Sequence, residues 1–330
     1  MRQRNDRIDF LRIMSAFFVV SIHVVTISVT YNDVAVAQPV EEGLNIAHNL
    51  SSWAVPVFFM ISGFCILGND EECTWKWVMR HIRRFVGILF TFGWFYALLE
   101  RVYTEKALSI QVIVLSFLDV INGKSWAHMW YIYSIIGIYL VLPIIGAYIM
   151  QKENNVYYLS SLLFLFTILA PAVNEWLDLS FGVELPMSGY LFYVCAGAAV
   201  ARCRSINSKY LKLVLGAAGA MILVYFVTGR DRVYSYTSLP VCLMALSIFI
   251  LVTKGEVNLG GEKLMELSKC TLGIYLVHPL FLNLMLKLLH IYPLHLPALV
   301  SVPVTCIFIF CLSYLTVYIL RKIPAVKWII

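Results

Sequence analysis

Phe10-Leu11-Arg12-Ile13-Met14-Ser15-Ala16-Phe17-Phe18-Val19-Val20-Ser21-Ile22-His23-Val24-Val25-Thr26-Ile27-Ser28-Val29 is the stretch that decides how the chain is read. It has the length of a membrane helix, yet it carries two residues such a helix avoids, Arg12 and His23. Eleven positions at about 100° each return the two side chains to nearly one face, and a rise of about 1.5 Å per residue sets them roughly 16 Å apart. With the helix entering from the cytoplasm, Arg12 lies near that surface and His23 about halfway through a hydrocarbon core roughly 30 Å thick. An imidazole at that depth is costly. It either lines a water-filled or protein-lined cavity or bonds to a neighbouring helix as packing glue.

The remaining sequence has the same character. Of 330 residues, 61% are hydrophobic and 13% charged, and mean hydropathy is +0.81. Soluble globular proteins carry about a quarter charged residues, so the composition excludes that class and indicates an all-α polytopic membrane protein. Ten spanning helices are expected near 10–29, 48–67, 84–100, 129–149, 156–173, 188–202, 210–228, 236–253, 270–290 and 298–319, each bound good to about three residues. No linker or low-complexity run interrupts them, so residues 1–330 read as one membrane domain. The outer connection 101–127 holds an apolar patch, Leu108 to Val120, suited to a re-entrant or interfacial helix.

Charge sets the orientation. With both termini in the cytoplasm, only Arg101, Lys106, Lys124, Arg230 and Arg232 of the 25 Lys and Arg face out, and Lys287 sits near the outer end of the ninth helix. The loop with Asp33, Glu41 and Glu42 and the loop with Glu175, Asp178 and Glu184 hold no Lys or Arg, as outer loops allow. The formal net charge of +6 then reflects topology and anionic lipid of a cell membrane, of the bacterial inner-membrane kind, and no nucleic acid is expected as a partner. The first apolar segment exceeds the roughly 7 to 15 residues of a signal-peptide core and is expected to stay as an anchor. The eight cysteines form no C-x-x-C pair, so neither a disulfide framework nor a metal site is expected.

Further groups bear on chemistry. Before the third helix runs Trp75-Lys76-Trp77-Val78-Met79-Arg80-His81-Ile82-Arg83-Arg84. Arg80, Arg83 and Arg84 recur at i, i+3 and i+4, so they share one face if the helix begins early. They then suit phosphate contacts; the plain alternative is an ordinary positive-inside anchor. Within Pro56-Val57-Phe58-Phe59-Met60-Ile61-Ser62-Gly63-Phe64, small residues permit close helix approach. His128 and Trp130 sit at the outer end of the fourth helix, where His128 reads as a solvated end residue. In Gly273-Ile274-Tyr275-Leu276-Val277-His278-Pro279 a second histidine lies roughly 12 Å inside the ninth helix, at a depth comparable to His23 and beside a proline that frees a backbone carbonyl.

Asp9, Arg12 and His23, the Phe58-Phe59-x-x-Ser62-Gly63-Phe64 string, the arginines 80, 83 and 84, the Trp130 to Pro143 segment and Tyr275-Leu276-x-His278-Pro279 together resemble the acyltransferase-3 family of integral-membrane O-acyltransferases, in its stand-alone form. The resemblance implies about ten helices and transfer of an acetyl or other acyl group from cytoplasmic acyl-CoA, a co-substrate and no tightly bound cofactor. The acceptor it implies is a hydroxyl of a glycan or lipid-linked saccharide. It also implies His23 as the catalytic residue with Arg12, and the arginine cluster as a donor-binding element. One departure stands out. Many members carry a glutamate five positions after the tryptophan, whereas Ile135 follows Trp130 here, and the segment is similar to the branch with His-x-Trp-Tyr.

Acyl transfer from a thioester to an alcohol needs a base near the alcohol, a donor for the oxyanion and an anchor for the phosphates of CoA. Arg12, Arg80, Arg83 and Arg84 are expected at the phosphates, with Asp9 orienting Arg12. His23 is expected as base or as acyl-carrying nucleophile. Ser62 or Tyr275 is a donor for the oxyanion, and Ser62, His128, Trp130, Tyr275 and His278 are candidates for the acceptor's surroundings. A transporter or flippase also uses buried His, Arg and Lys and is the rival reading.

Overall fold

A computed structural model describes residues 5–31, 36–69, 73–177, 188–203, 207–227, 234–255 and 261–330. Arg2, Arg4, Asp33, Asp178, Glu184, Arg204, Arg230 and Arg232, which entered the charge reading, lie outside them. Every regular element among the described residues is helical: α1 Asp6–Thr30, α2 Gln38–Ser51, α3 Ala54–Ile66, α4 Trp75–Ile88, α5 Trp94–Glu105, α6 Ile110–Ile121, α7 Trp130–Gln151, α8 Asn155–Phe164, α9 Ala170–Leu177, α10 Ser188–Arg202, α11 Ser208–Val227, α12 Leu239–Lys254, α13 Glu262–Asn283, α14 Ala298–Leu320 and α15 Pro324–Lys327. A π-helical turn, Leu89–Gly93, carries α4 into α5, and another, Leu165–Leu169, carries α8 into α9. Seven of the resulting helical stretches are long and apolar enough to cross a membrane, and α6, α10 and α12 are shorter apolar helices.

Side chains satisfy first-turn backbone N–H groups at the starts of α1, α4 and α6. The Asn5 side chain accepts from the amides of Arg7 and Ile8 to open α1, whose first turn holds Asp6 and Asp9 at the positive end of the helix dipole. Thr74 caps α4 by accepting from Trp77 N, so the basic stretch expected as a loop is helix from Trp75 onward. Pro39 in the first turn starts α2. Glu41 and Glu42, expected in a loop, therefore lie on a helix. Hydropathy averaging hid this start because α2 is amphipathic, with its charges outward and Leu44 and His48 buried. α13 likewise begins at Glu262 rather than near residue 270.

The chain forms two compact units. The first comprises residues 1–69 and 154–319, the second residues 70–153 and 320–330. In the first, α1 packs along α13, α2 and α3, and α3 packs along α10. The α3–α10 contact is backbone to backbone. A Cβ on Gly63 would fall on the Val194 carbonyl, and one on Gly197 would fall on the Met60 carbonyl, so each helix offers its glycine to the other's main chain. Arg202 closes the end of this pair, donating to the Leu67 carbonyl at 3.2 Å and the Asn69 carbonyl at 3.1 Å.

In the second unit α4 packs on α7 and α5 on α6. The Leu108–Val120 patch is mostly α6. Arg101 on α5 holds Asp119 through two nitrogens, at 2.5 and 3.1 Å.

Candidate functional site

Where α1 meets α13 two imidazole rings face each other, their centroids 4.9 Å apart. Nδ1 of His23 lies 2.8 Å from the Val19 carbonyl and 3.2 Å from Nε2 of His278. Nδ1 of His278 lies 3.0 Å from the Ile274 carbonyl. His278 is fully buried, its ring backed by Tyr275 at 6.3 Å. His23 is half-buried, so it is the more accessible member of the pair. Pro279 follows His278 inside α13 and supplies no N–H to the Tyr275 carbonyl one turn back.

About four turns nearer the start of α1, Asp9 is buried. It accepts a 2.6 Å hydrogen bond from the Ser268 hydroxyl of α13 and a 3.3 Å ion-pair contact from Arg12. The Arg12 side chain is 37% exposed while that of Asp9 is only 10% exposed. The carboxylate is thus a buried anchor for a more exposed guanidinium, whose Nη2 lies 3.8 Å from the Cys65 sulfur. Ser62 is half-buried and donates to the Phe58 carbonyl at 3.2 Å.

A third histidine belongs to this neighbourhood. His48 is buried on α2, which packs along α1, and exchanges hydrogen bonds with Ser52. Its signal in the sequence was the amphipathic stripe of α2, where His48 follows Leu44 by one turn; it is legible only once the helix is started at Pro39.

The remaining candidates lie in the second unit. Arg80 and Arg83 are exposed, while Arg84 is half-buried and donates to the Ile329 carbonyl at 3.1 Å. The arginine cluster thus divides, with two residues open to a ligand and one tied to its own chain. His81 stacks on Trp77 at 3.8 Å between ring centroids. His128, read as a solvated end residue, is buried against Tyr96, whose ring stacks on Trp126 at 4.3 Å. The turn preceding α7 folds it inward, which sequence position alone does not reveal. Trp130 is half-buried at the start of α7. Outside the membrane-spanning segments, burial pushes the Cys73 thiol up, so it is no ready thiolate for acyl transfer.

Regular structure that is all helical among the described residues, several membrane-length helices and a histidine pair on α1 and α13 define a multi-pass membrane protein with an ionisable site among its helices. The model of the Acyl_transf_3 family, described as an acyltransferase domain, matches residues 5–318, and the chain belongs to this family. It is also similar to a protein of Enterococcus faecalis named amino-acid racemase, 24% identical over 355 aligned positions covering 99% of this chain and 48% of that protein. The chain therefore spans about half the length of that curated relative. No solved structure matches.

Proposed function

We propose that this membrane acyltransferase moves an acyl group, acetyl foremost, from cytoplasmic acyl-CoA to a hydroxyl of a cell-envelope or exported glycan, with His23 as general base. The observation that carries the reading is the half-buried His23 ring, held through Nδ1 on the same helix as Arg12. In the reaction, the acceptor hydroxyl gives its proton to His23 as its oxygen attacks the thioester carbonyl. The C–S bond then breaks, and the proton passes from His23 to the departing thiolate. Arg12, tethered by Asp9, contacts phosphate of the donor, and Arg80 and Arg83 offer further phosphate contacts on their own unit. Ser62 and Tyr275 are the candidates for the oxyanion donor. The topology that suits this has ten spans, both termini in the cytoplasm, and the cell membrane as its site.

The test is label transfer from radiolabelled acetyl-CoA in membranes carrying the protein. Label is expected in the glycan fraction with the unaltered chain, and none with His23→Ala at equal abundance and thermal stability. Full transfer by His23→Ala overturns the mechanism.

A second reading is favoured by the name of the relative. A chain that aligns with half of a protein named amino-acid racemase suits passage of an amino acid across the membrane, using the same buried polar residues. Uptake of labelled amino acids into proteoliposomes, with no label reaching glycan, supports that reading over acyl transfer.

A further inference from the structure

We infer that His278 is the positioning residue for His23: together with the Val19 carbonyl it holds the hydrogen on Nδ1 of His23, so that Nε2 is the basic nitrogen, and it stabilises the imidazolium formed when that nitrogen takes a proton. The inference rests on the reading of His23 as the base and gives it the third member that a base requires.

The two carbonyls determine the hydrogens. A carbonyl oxygen only accepts, so the ring nitrogen facing it donates. Nδ1 of His278, 3.0 Å from the Ile274 carbonyl, therefore carries hydrogen, and a neutral ring then has its lone pair on Nε2. That lone pair lies 3.2 Å from Nδ1 of His23. Nδ1 of His23 in turn faces the Val19 carbonyl at 2.8 Å, so it too carries hydrogen and shares it between two acceptors. The chain of bonds runs one way, from His23 to His278 to Ile274, and leaves Nε2 of His23 as the atom that accepts a proton.

The charge argument follows from the same geometry. When Nε2 of His23 takes the acceptor's proton, the ring becomes a cation and its Nδ1–H bond to His278 becomes charge-assisted. The receiving lone pair is already aimed and fully buried, so the cation forms against a fixed partner without reorganisation. No bond to His278 forms or breaks: its Nδ1 keeps its hydrogen, donated to the Ile274 carbonyl, and the transferred proton stays on His23. A role in acceptor binding, the sequence expectation for His278, leaves both ring contacts unexplained. Packing alone explains the burial but gives no reason for the two rings to meet nitrogen to nitrogen at 3.2 Å.

The test uses the full-length chain in lipid with 15N-labelled histidine and magic-angle-spinning NMR, His23 being identified by loss of its signals in His23→Gln. Both His23 and His278 are expected protonated on Nδ1 and bare on Nε2. His278→Ala is expected to shift the His23 Nδ1 resonance, its hydrogen then held by the Val19 carbonyl alone, and to lower acyl transfer about 10- to 100-fold, the size of effect seen when a histidine loses its orienting partner. His278→Gln, whose carbonyl accepts in place of Nε2, is expected to restore both. A wild-type His23 protonated on Nε2 overturns the inference, and this measurement stands even if His278→Ala does not fold. Acyl transfer that requires His23 but proceeds at full rate in His278→Ala overturns the inference and spares the acyltransferase reading. The expected tautomers, with the His23 Nδ1 resonance shifted by His278→Ala, in a protein that transfers no acyl group support the pairing and overturn that reading instead.

Discussion

The Ser268 hydroxyl donates a buried 2.6 Å hydrogen bond to Asp9 Oδ1, joining two residues 259 positions apart in sequence. The same oxygen receives Arg12, so one carboxylate both fastens α13 to α1 and directs the cation at the start of α1. Removing Asp9 leaves a buried hydroxyl and a guanidinium without their acceptor, a loss of about 1–3 kcal/mol for a hydrogen bond to a charged group. Asp9→Ala is expected to lower the thermal midpoint in detergent more than Ser268→Ala, because it removes two interactions and the serine change removes one. Equal midpoints in the two variants contradict this.

Arg12 is over a third exposed, so its contribution to donor binding is screened and smaller than that of a fully desolvated pair. Arg12→Ala is expected to weaken acyl-CoA affinity by about 1–2 kcal/mol, roughly 5- to 30-fold. Arg12→Lys should recover only part, since an ammonium cannot hold Asp9 and a phosphate in the forked geometry of a guanidinium. Equilibrium binding of acyl-CoA to the two variants measures both effects.

Much of the fold was legible because apolar helices in a membrane protein are continuous in sequence: among the described residues the stretches read as spans are mainly helix, and seven helical stretches are long and apolar enough to cross a membrane. What failed to show were the polar-faced starts of α2 and α4, because hydropathy averages over the charges that an amphipathic turn places outward. At the site, Arg12 and His23 were visible from spacing on one helix, and Pro279 flagged His278. The contact between His23 and His278 was not visible, because a spacing of 255 residues carries no angular information. His48 and Ser268 were missed for related reasons: the first lies on a helix not expected there, and the second is a common residue whose only distinction is the carboxylate it meets.

The arginines on α4 divide by what they touch. Arg84 donates to the Ile329 carbonyl, and the Trp328 ring lies against Gly87 on the same helix. Arg84→Ala is therefore expected to loosen the 321–330 segment, seen as faster hydrogen exchange there, with a modest change in donor affinity. Arg80→Ala and Arg83→Ala remove exposed charges. They should leave that exchange unchanged, while donor affinity falls and its dependence on salt concentration flattens. The opposite pattern would place the phosphate contact at Arg84.

Gly63 and Gly197 seat α3 and α10 on each other's main chain, so a methyl group at either meets backbone that cannot rotate away, unlike the tip of a flexible side chain. Relief requires the helices to separate, which also strains the Arg202 bonds to the Leu67 and Asn69 carbonyls and exposes packed surface on both. Gly63→Ala and Gly197→Ala are each expected to cost about 3 kcal/mol or more, at the upper end for overpacking. Gly137 is a useful contrast, since a Cβ there meets nothing within 4 Å, and Gly137→Ala should be neutral or stabilising by up to about 1 kcal/mol. Folded yield and thermal midpoint of the three variants in one detergent decide it. A stable, fully active Gly63→Ala protein would mean that α3 and α10 do not approach as closely as their glycines allow.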